Sequence, residues 1–107
     1  MKAIKWDDRE KAMKGISLVV NATPLGMTGQ EPLKLSLKAL PKDAVVTDIV
    51  YTPLITPLLA EAKARGNRVI DGLGMLLYQA QPGFEAWFSV KPEVTQALRD
   101  HVLGGFK

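Results

Sequence analysis

The sequence predicts an α/β protein, with a parallel sheet of about three strands flanked by helices and more helices at the C-terminus. Three observations carry this expectation. Residues 17–21 (SLVVN) and 44–50 (AVVTDIV) are short β-branched runs bounded by Pro, Gly or Asp, with a shorter one at 67–70 (NRVI). Continuous apolar runs of this kind suit strands buried on both faces beneath helices. A capped helical pattern separates the second run from the third, which makes a right-handed βαβ unit. The chain has 107 residues, room for one small domain at most.

Taken in order, residues 7–14 read as a short, charged helix before the first strand. Residues 22–43 hold three Pro and two Gly around a weak apolar pattern from Leu33 to Leu40. They read as a long loop with one helical turn, and irregular loops of that length are commonly functional or disordered. After the second strand, Thr56 can cap a helix, Pro57 suits its first position, and Gly66 can take the left-handed conformation that ends it. Glu61 and Arg65 form an i,i+4 pair on that helix. Asp71 can cap the next helix, in which Leu73, Leu76, Leu77 and Ala80 fall on one stripe. Pro82 removes a backbone donor, so the helix is expected to break or kink there and restart with Phe84, Trp87 and Phe88 as its apolar face. A final helix is expected from Pro92, with Val94, Ala97, Leu98 and Val102 along one side.

Composition excludes several function classes. There is no Cys, so no disulfide framework, thiolate metal site or thiol nucleophile is available. The net charge of +3 is spread along the chain with no basic run or interleaved aromatics, which argues against nucleic-acid binding. No apolar stretch approaches the ~20 residues that cross a bilayer, and the lysine-studded start lacks a signal-peptide core. A soluble, cytoplasmic protein is the expectation.

In an open parallel sheet, ligands bind beyond the carboxyl ends of the strands, where loops gather and helix N-termini present free N–H groups. The residues leaving those ends are Asn21 to Met27, Tyr51 to Pro53 and Asp71 to Met75, and all three groups should meet at one edge. Asn-Ala-Thr-Pro at 21–24 reads equally as a strand exit with a side-chain-to-backbone turn and as a ligand loop. Gly72 and Gly74 match the first two glycines of a dinucleotide fingerprint, but Leu77 occupies the third place, so no pyrophosphate cradle is present. The single His101, without Cys or a carboxylate cluster, gives no metal site. Ser17, Ser36 and Ser89 stand in no nucleophile-elbow context.

The ordered motifs NATPLGM at 21–27, DIVYTP at 48–53 with TPLL at 56–59, DGLGMLL at 71–77 with Gln79-Ala80, and GFEAW at 83–87 resemble the C-terminal part of shikimate dehydrogenase. The resemblance runs from Trp6 to Leu103. It implies half of a Rossmann-like sheet plus closing helices, with residues 1–107 a single partial domain that corresponds to the second half of the family's NADP-binding domain. The family reduces 3-dehydroshikimate to shikimate with NADPH in aromatic amino-acid biosynthesis. Carried over, the resemblance implies that Asn21, Ala22 and Thr23 line a cofactor channel, that Ile49 and Gly72 contact the nicotinamide half of NADP, and that Met75 is an apolar cofactor contact. It implies that Tyr51 and Gln79 face the substrate. The family's catalytic Lys and Asp lie in an N-terminal domain that has no counterpart here, so no catalytic residue is assigned and the chain is expected to be inactive alone. An inner strand stripped of its neighbours invites pairing, so a homo-oligomer or a separate N-terminal domain is the expected partner. The competing expectations are a relative that acts on quinate or aminoshikimate and a non-catalytic binding or assembly module.

Overall fold

The computed structural model describes residues 1–105. A 3-10 turn at Trp6–Asp8 leads into a short helix α1 (Arg9–Ala12), then strands β1 (Leu18–Asn21) and β2 (Val45–Asp48), helix α2 (Pro57–Ala64), strand β3 (Arg68–Ile70), and helices α3 (Gly72–Phe88) and α4 (Gln96–Gly104). The strands form one parallel sheet in the order β1-β2-β3. The predicted class and the βαβ unit are therefore present. No helix of the described residues is long and apolar enough to cross a membrane.

Local chemistry explains α2. The Thr56 hydroxyl accepts from the Leu59 N–H, Pro57 stands where no intrahelical N–H bond is needed, and Gly66 turns the chain away at φ 92°. The i,i+4 pair is not made. Arg65 instead donates to Asn67 Oδ1 at 2.8 Å and to the Leu40 carbonyl at 2.9 Å. Two ordered acceptors outcompete an exposed carboxylate, whose pairing is worth only a few tenths of a kcal/mol, ~0.2 to 0.5. Buried Asn67 closes the same corner, donating to the Pro41 and Ala44 carbonyls at 2.9 Å each.

The core lies on one side of the sheet. Val19 and Val46 meet Leu58, Leu59 and Ala62 of α2, together with Met13, Leu37, Leu40 and Ala44. The opposite face carries Leu18, Val45 and Arg68 in one row and Val20, Thr47 and Ile70 in the next. Leu18, Val20 and Ile70 are 54%, 50% and 55% exposed, so this face is uncovered. Burial on both faces, expected from the apolar runs, is thus realised on one. The reason is the course of α3, which leaves the sheet after Gly72 and Leu73, its buried residues.

Other expectations are revised as well. Residues 22–43 contain hydrogen-bonded turns and no helical turn, yet Leu37 and Leu40 are buried, and the Leu40 N–H donates to the Leu37 carbonyl. Helix α3 runs unbroken through Pro82, because losing one backbone bond does not remove those on either side of it. Its distal residues are not a buried face: Trp87 is 81% exposed, and Phe84 and Phe88 pack mainly on each other, with ring centroids 4.7 Å apart. Ala80 is exposed as well, and Leu76 and Leu77 are half-buried. The first helix is split into the 3-10 turn and α1, and α4 begins at Gln96 with Thr95 as its cap, several residues after Pro92.

Because Leu37 fills the core from a segment without regular structure, Leu37→Ala should cost about 2 to 5 kcal/mol, as for a core leucine in a helix. Urea denaturation measures it, and a loss below ~1 kcal/mol would show that this segment merely covers the core.

Candidate functional site

Parallel pairing brings all three carboxyl ends to one edge. Asn21 is in register with Asp48, and Thr47 with Ile70, so the next residue, Asp71, falls level with Asp48. β1 and β2 therefore end on a short polar side chain and β3 is followed at once by one, and each of these organises the backbone that follows it.

Asp48 is the centre of the row, 1% exposed. Its Oδ1 accepts from Asn21 Nδ2 at 3.1 Å and from the Val50 N–H at 3.0 Å, and its Oδ2 accepts from the Thr56 hydroxyl at 2.8 Å. None of these donors is charged. The carboxylate thereby ties β1, the loop after β2 and the cap of α2 to one point, which satisfies the requirement that buried polar groups be bonded.

Asn21 is also buried, with its side chain fully engaged within the protein. Nδ2 donates to the Leu25 carbonyl at 3.1 Å as well as to Asp48, and Oδ1 accepts from the Thr23 N–H at 3.1 Å and the Thr23 hydroxyl at 2.7 Å. This is the side-chain-to-backbone turn of the strand-exit reading. It sets the path of Ala22 and Thr23, which are exposed. The Thr28 N–H donates to the Thr52 carbonyl at 2.8 Å, joining this loop to the one after β2.

Between these two loops lies a cleft of about 310 Å³ lined by Ala22, Thr23, Pro24, Met27, Ile49, Val50, Tyr51 and Thr52. A second opening of about 580 Å³ shares Tyr51 and Thr52 and is completed by Thr28, Pro53 and Leu54 on one side and by Asp100, Leu103 and Gly104 of α4 on the other. Tyr51 thus stands between a small, mainly apolar recess and a larger one with hydroxyl and carboxylate groups.

Gly72 lies directly beneath. A Cβ there would come within 2.5 Å of the Ile49 carbonyl oxygen and 2.7 Å of the Val50 carbonyl oxygen, so only glycine lets α3 start against this loop. Asp71 caps α3 through Oδ1, which accepts from the Leu73 and Gly74 N–H groups at 3.2 and 3.4 Å.

Of the residues singled out in the sequence, Asn21, Ala22, Thr23, Ile49, Tyr51 and Gly72 gather at this edge. Met75 and Gln79 are exposed on α3, one and two turns beyond Gly72, and line neither cleft. Sequence reasoning missed the contribution of α4, because its position depends on contacts nearly thirty residues away in sequence; no local signal marks Leu103 as a wall. Among the described residues, no group of three or more His, Asp or Glu side chains is arranged to hold a metal ion.

No protein-family model matches the chain. It is 58% identical over 100 residues to the shikimate dehydrogenase (NADP(+)) of Paramagnetospirillum magneticum, an alignment that covers 94% of this chain and 36% of the relative. It spans about a third of the length of the curated relatives it matches, in their C-terminal part. Among solved structures, it is similar to a shikimate dehydrogenase in complex with NADP+ at a TM-score of 0.78 and 35% identity, covering 87% of this chain and 33% of that one. It is also similar to a quinate dehydrogenase from Corynebacterium glutamicum in complex with NAD, at a TM-score of 0.79 and 35% identity, covering 89% and 33% respectively.

Three substitutions test the geometry. Gly72→Ala should destabilise the protein by about 1 to 3 kcal/mol through overpacking against the Ile49 and Val50 backbone. Gly83→Ala in the same helix, where a Cβ meets nothing within 4 Å, should stabilise it by about 0.5 to 1 kcal/mol. Asp48→Ala should cost at least ~2 kcal/mol because it strands buried donors. Thermal melts of the three variants give the comparison, and an Asp48→Ala variant as stable as the parent would contradict the role assigned to that carboxylate.

Proposed function

We infer that this chain, homologous to the C-terminal third of the NADP-dependent shikimate dehydrogenases, is the cofactor-side portion of such an oxidoreductase. The observation that carries this reading is the 58% identity across nearly the whole chain, joined to a strand-end cleft formed by residues of the matching motifs. On this reading, residues 1–107 are one partial domain, working in the cytoplasm, and the complete enzyme interconverts 3-dehydroshikimate and shikimate.

The cleft suits one half of the dinucleotide. Its apolar lining of Ala22, Pro24, Met27, Ile49 and Val50 accepts a nicotinamide ring, with Asn21 acting from below by holding the Ala22–Thr23 backbone in place. Gly72 keeps the floor low by letting α3 begin against Ile49, and Met75, which lies outside both clefts on the first turn of α3, is a further cofactor contact that the resemblance implies. NADPH, when bound, supplies the hydride. No glycine-rich turn is present for the pyrophosphate, so the remaining phosphate contacts must come from elsewhere.

Tyr51 and Gln79 are the substrate-facing groups. A phenol and a carboxamide can each donate and accept hydrogen bonds, as a polyhydroxylated acid requires. Tyr51 stands at the border between the two openings, where it can orient substrate toward the ring. No residue here takes the part of the proton-transferring Lys or Asp, and attack geometry needs both reactants held at ~3 to 3.5 Å. The chain alone is therefore inactive, and either a separate N-terminal domain or a second copy covers the apolar sheet face. Similarity to a quinate dehydrogenase favours a second reading, in which the substrate is the related acid quinate.

The expected outcome is no NADPH oxidation by this chain with 3-dehydroshikimate, and turnover once the segment that precedes it in its relatives is supplied separately. Full activity of the chain by itself would refute the division of labour, and turnover with quinate and NAD alone would favour the second reading. Sedimentation velocity at micromolar concentration should show self-association that Val20→Lys weakens; a stable monomer would count against a second copy as the cover.

A further inference from the structure

The geometry points to Arg99 as a positioning residue that latches α4 across the strand ends and so builds the second wall of the Tyr51 opening. Asp71 divides its carboxylate between two tasks. Oδ1 caps α3, while Oδ2 accepts from Arg99 at 3.0 Å, with the two side chains 25% and 22% exposed. This is the ion pair found among the described residues, and it joins positions twenty-eight apart in sequence.

Three features make it a latch and not an incidental surface contact. First, α4 has no buried residue; its inward stripe of Arg99, Val102 and Leu103 is half-buried, so packing alone holds it lightly. Second, the guanidinium lies over the first turn of α3, 3.8 Å from where a Cβ on Gly74 would stand, an ordinary van der Waals separation. Third, the N-terminal end of a helix carries a partial positive charge, which repels a cation. Arg99 can therefore rest against α3 only because Asp71 supplies the opposite charge. The next residue, Asp100, together with Leu103 and Gly104, then faces Thr28, Tyr51 and Leu54 across the opening of about 580 Å³. Without the latch, that opening loses one side.

The consequence for catalysis rests on the reading of the opening as the substrate side, whereas the latch itself can be tested without any ligand. The chain has no cysteine, so paired spin labels at Gln30→Cys and His101→Cys, both exposed, report the distance from the β1 loop to α4. The full chain should give one narrow distance distribution. Arg99→Gln should broaden and lengthen it. Asp71→Asn should do so to the same extent, although asparagine caps a helix as well as aspartate, because it removes the charge that tolerates Arg99. The double variant should go no further than either single change, as coupled partners require. Arg99→Lys, which keeps the cation, should restore the parent distribution. Unchanged distributions in both single variants, additive effects in the double, or failure of lysine to rescue would each overturn the proposal. None of these results bears on whether the chain is part of a shikimate dehydrogenase, which the reconstitution decides separately.

Discussion

The carboxylate of Asp48 is the constraint around which the rest is arranged. A buried carboxylate must be given donors, and here they come from three separate pieces of chain: the end of β1, the loop after β2 and the cap of α2. Meeting that requirement at one atom group fixes the relative position of two strands and a helix. The Thr56 hydroxyl is central to this, since it donates to Asp48 and accepts from the Leu59 N–H at once. The helix is consequently started by the same contact that closes the strand end. The loops at this edge are thereby tied to the strands and to α2.

The fold is complete on one side and open on the other. On the covered face, α2 and the turns of residues 33–40 supply what Val19 and Val46 need. On the open face, Leu18, Val20 and Ile70 occupy positions that a covering layer would bury. The same asymmetry runs through the candidate site, which has the small apolar recess and the tyrosine at its border but no phosphate cradle and no proton-transfer pair. The chain spans about a third of the length of the curated relatives it matches. The exposed Trp87 and Phe88 at the far end of α3 fit the same pattern.

The polar row Asn21, Asp48 and Asp71 also relates fold to chemistry. Each side chain is spent on the backbone that follows it, so none is presented to a ligand as a free group. Their effect is on the backbone they hold, which places Ala22, Thr23, Ile49, Tyr51 and Gly72 at one edge. A polar residue at a strand end can thus belong to a binding motif while all its hydrogen bonds stay inside the protein.

Much of this was legible in the sequence. Strand runs, the caps Thr56 and Asp71, the terminating Gly66 and the convergence of three loops all follow from interactions that span four residues or fewer, or from the parallel order of βαβ units. These features depend on neighbours along the chain, and one sequence is enough to state them. Tertiary structure alone decided that Arg65 turns to Leu40 instead of Glu61 and that Leu37 reaches the core without a helix. It alone seated α4 on Asp71 and left one sheet face bare. Those outcomes are competitions between distant partners, settled by strand register and by which side chains meet across the fold, and no local pattern records them.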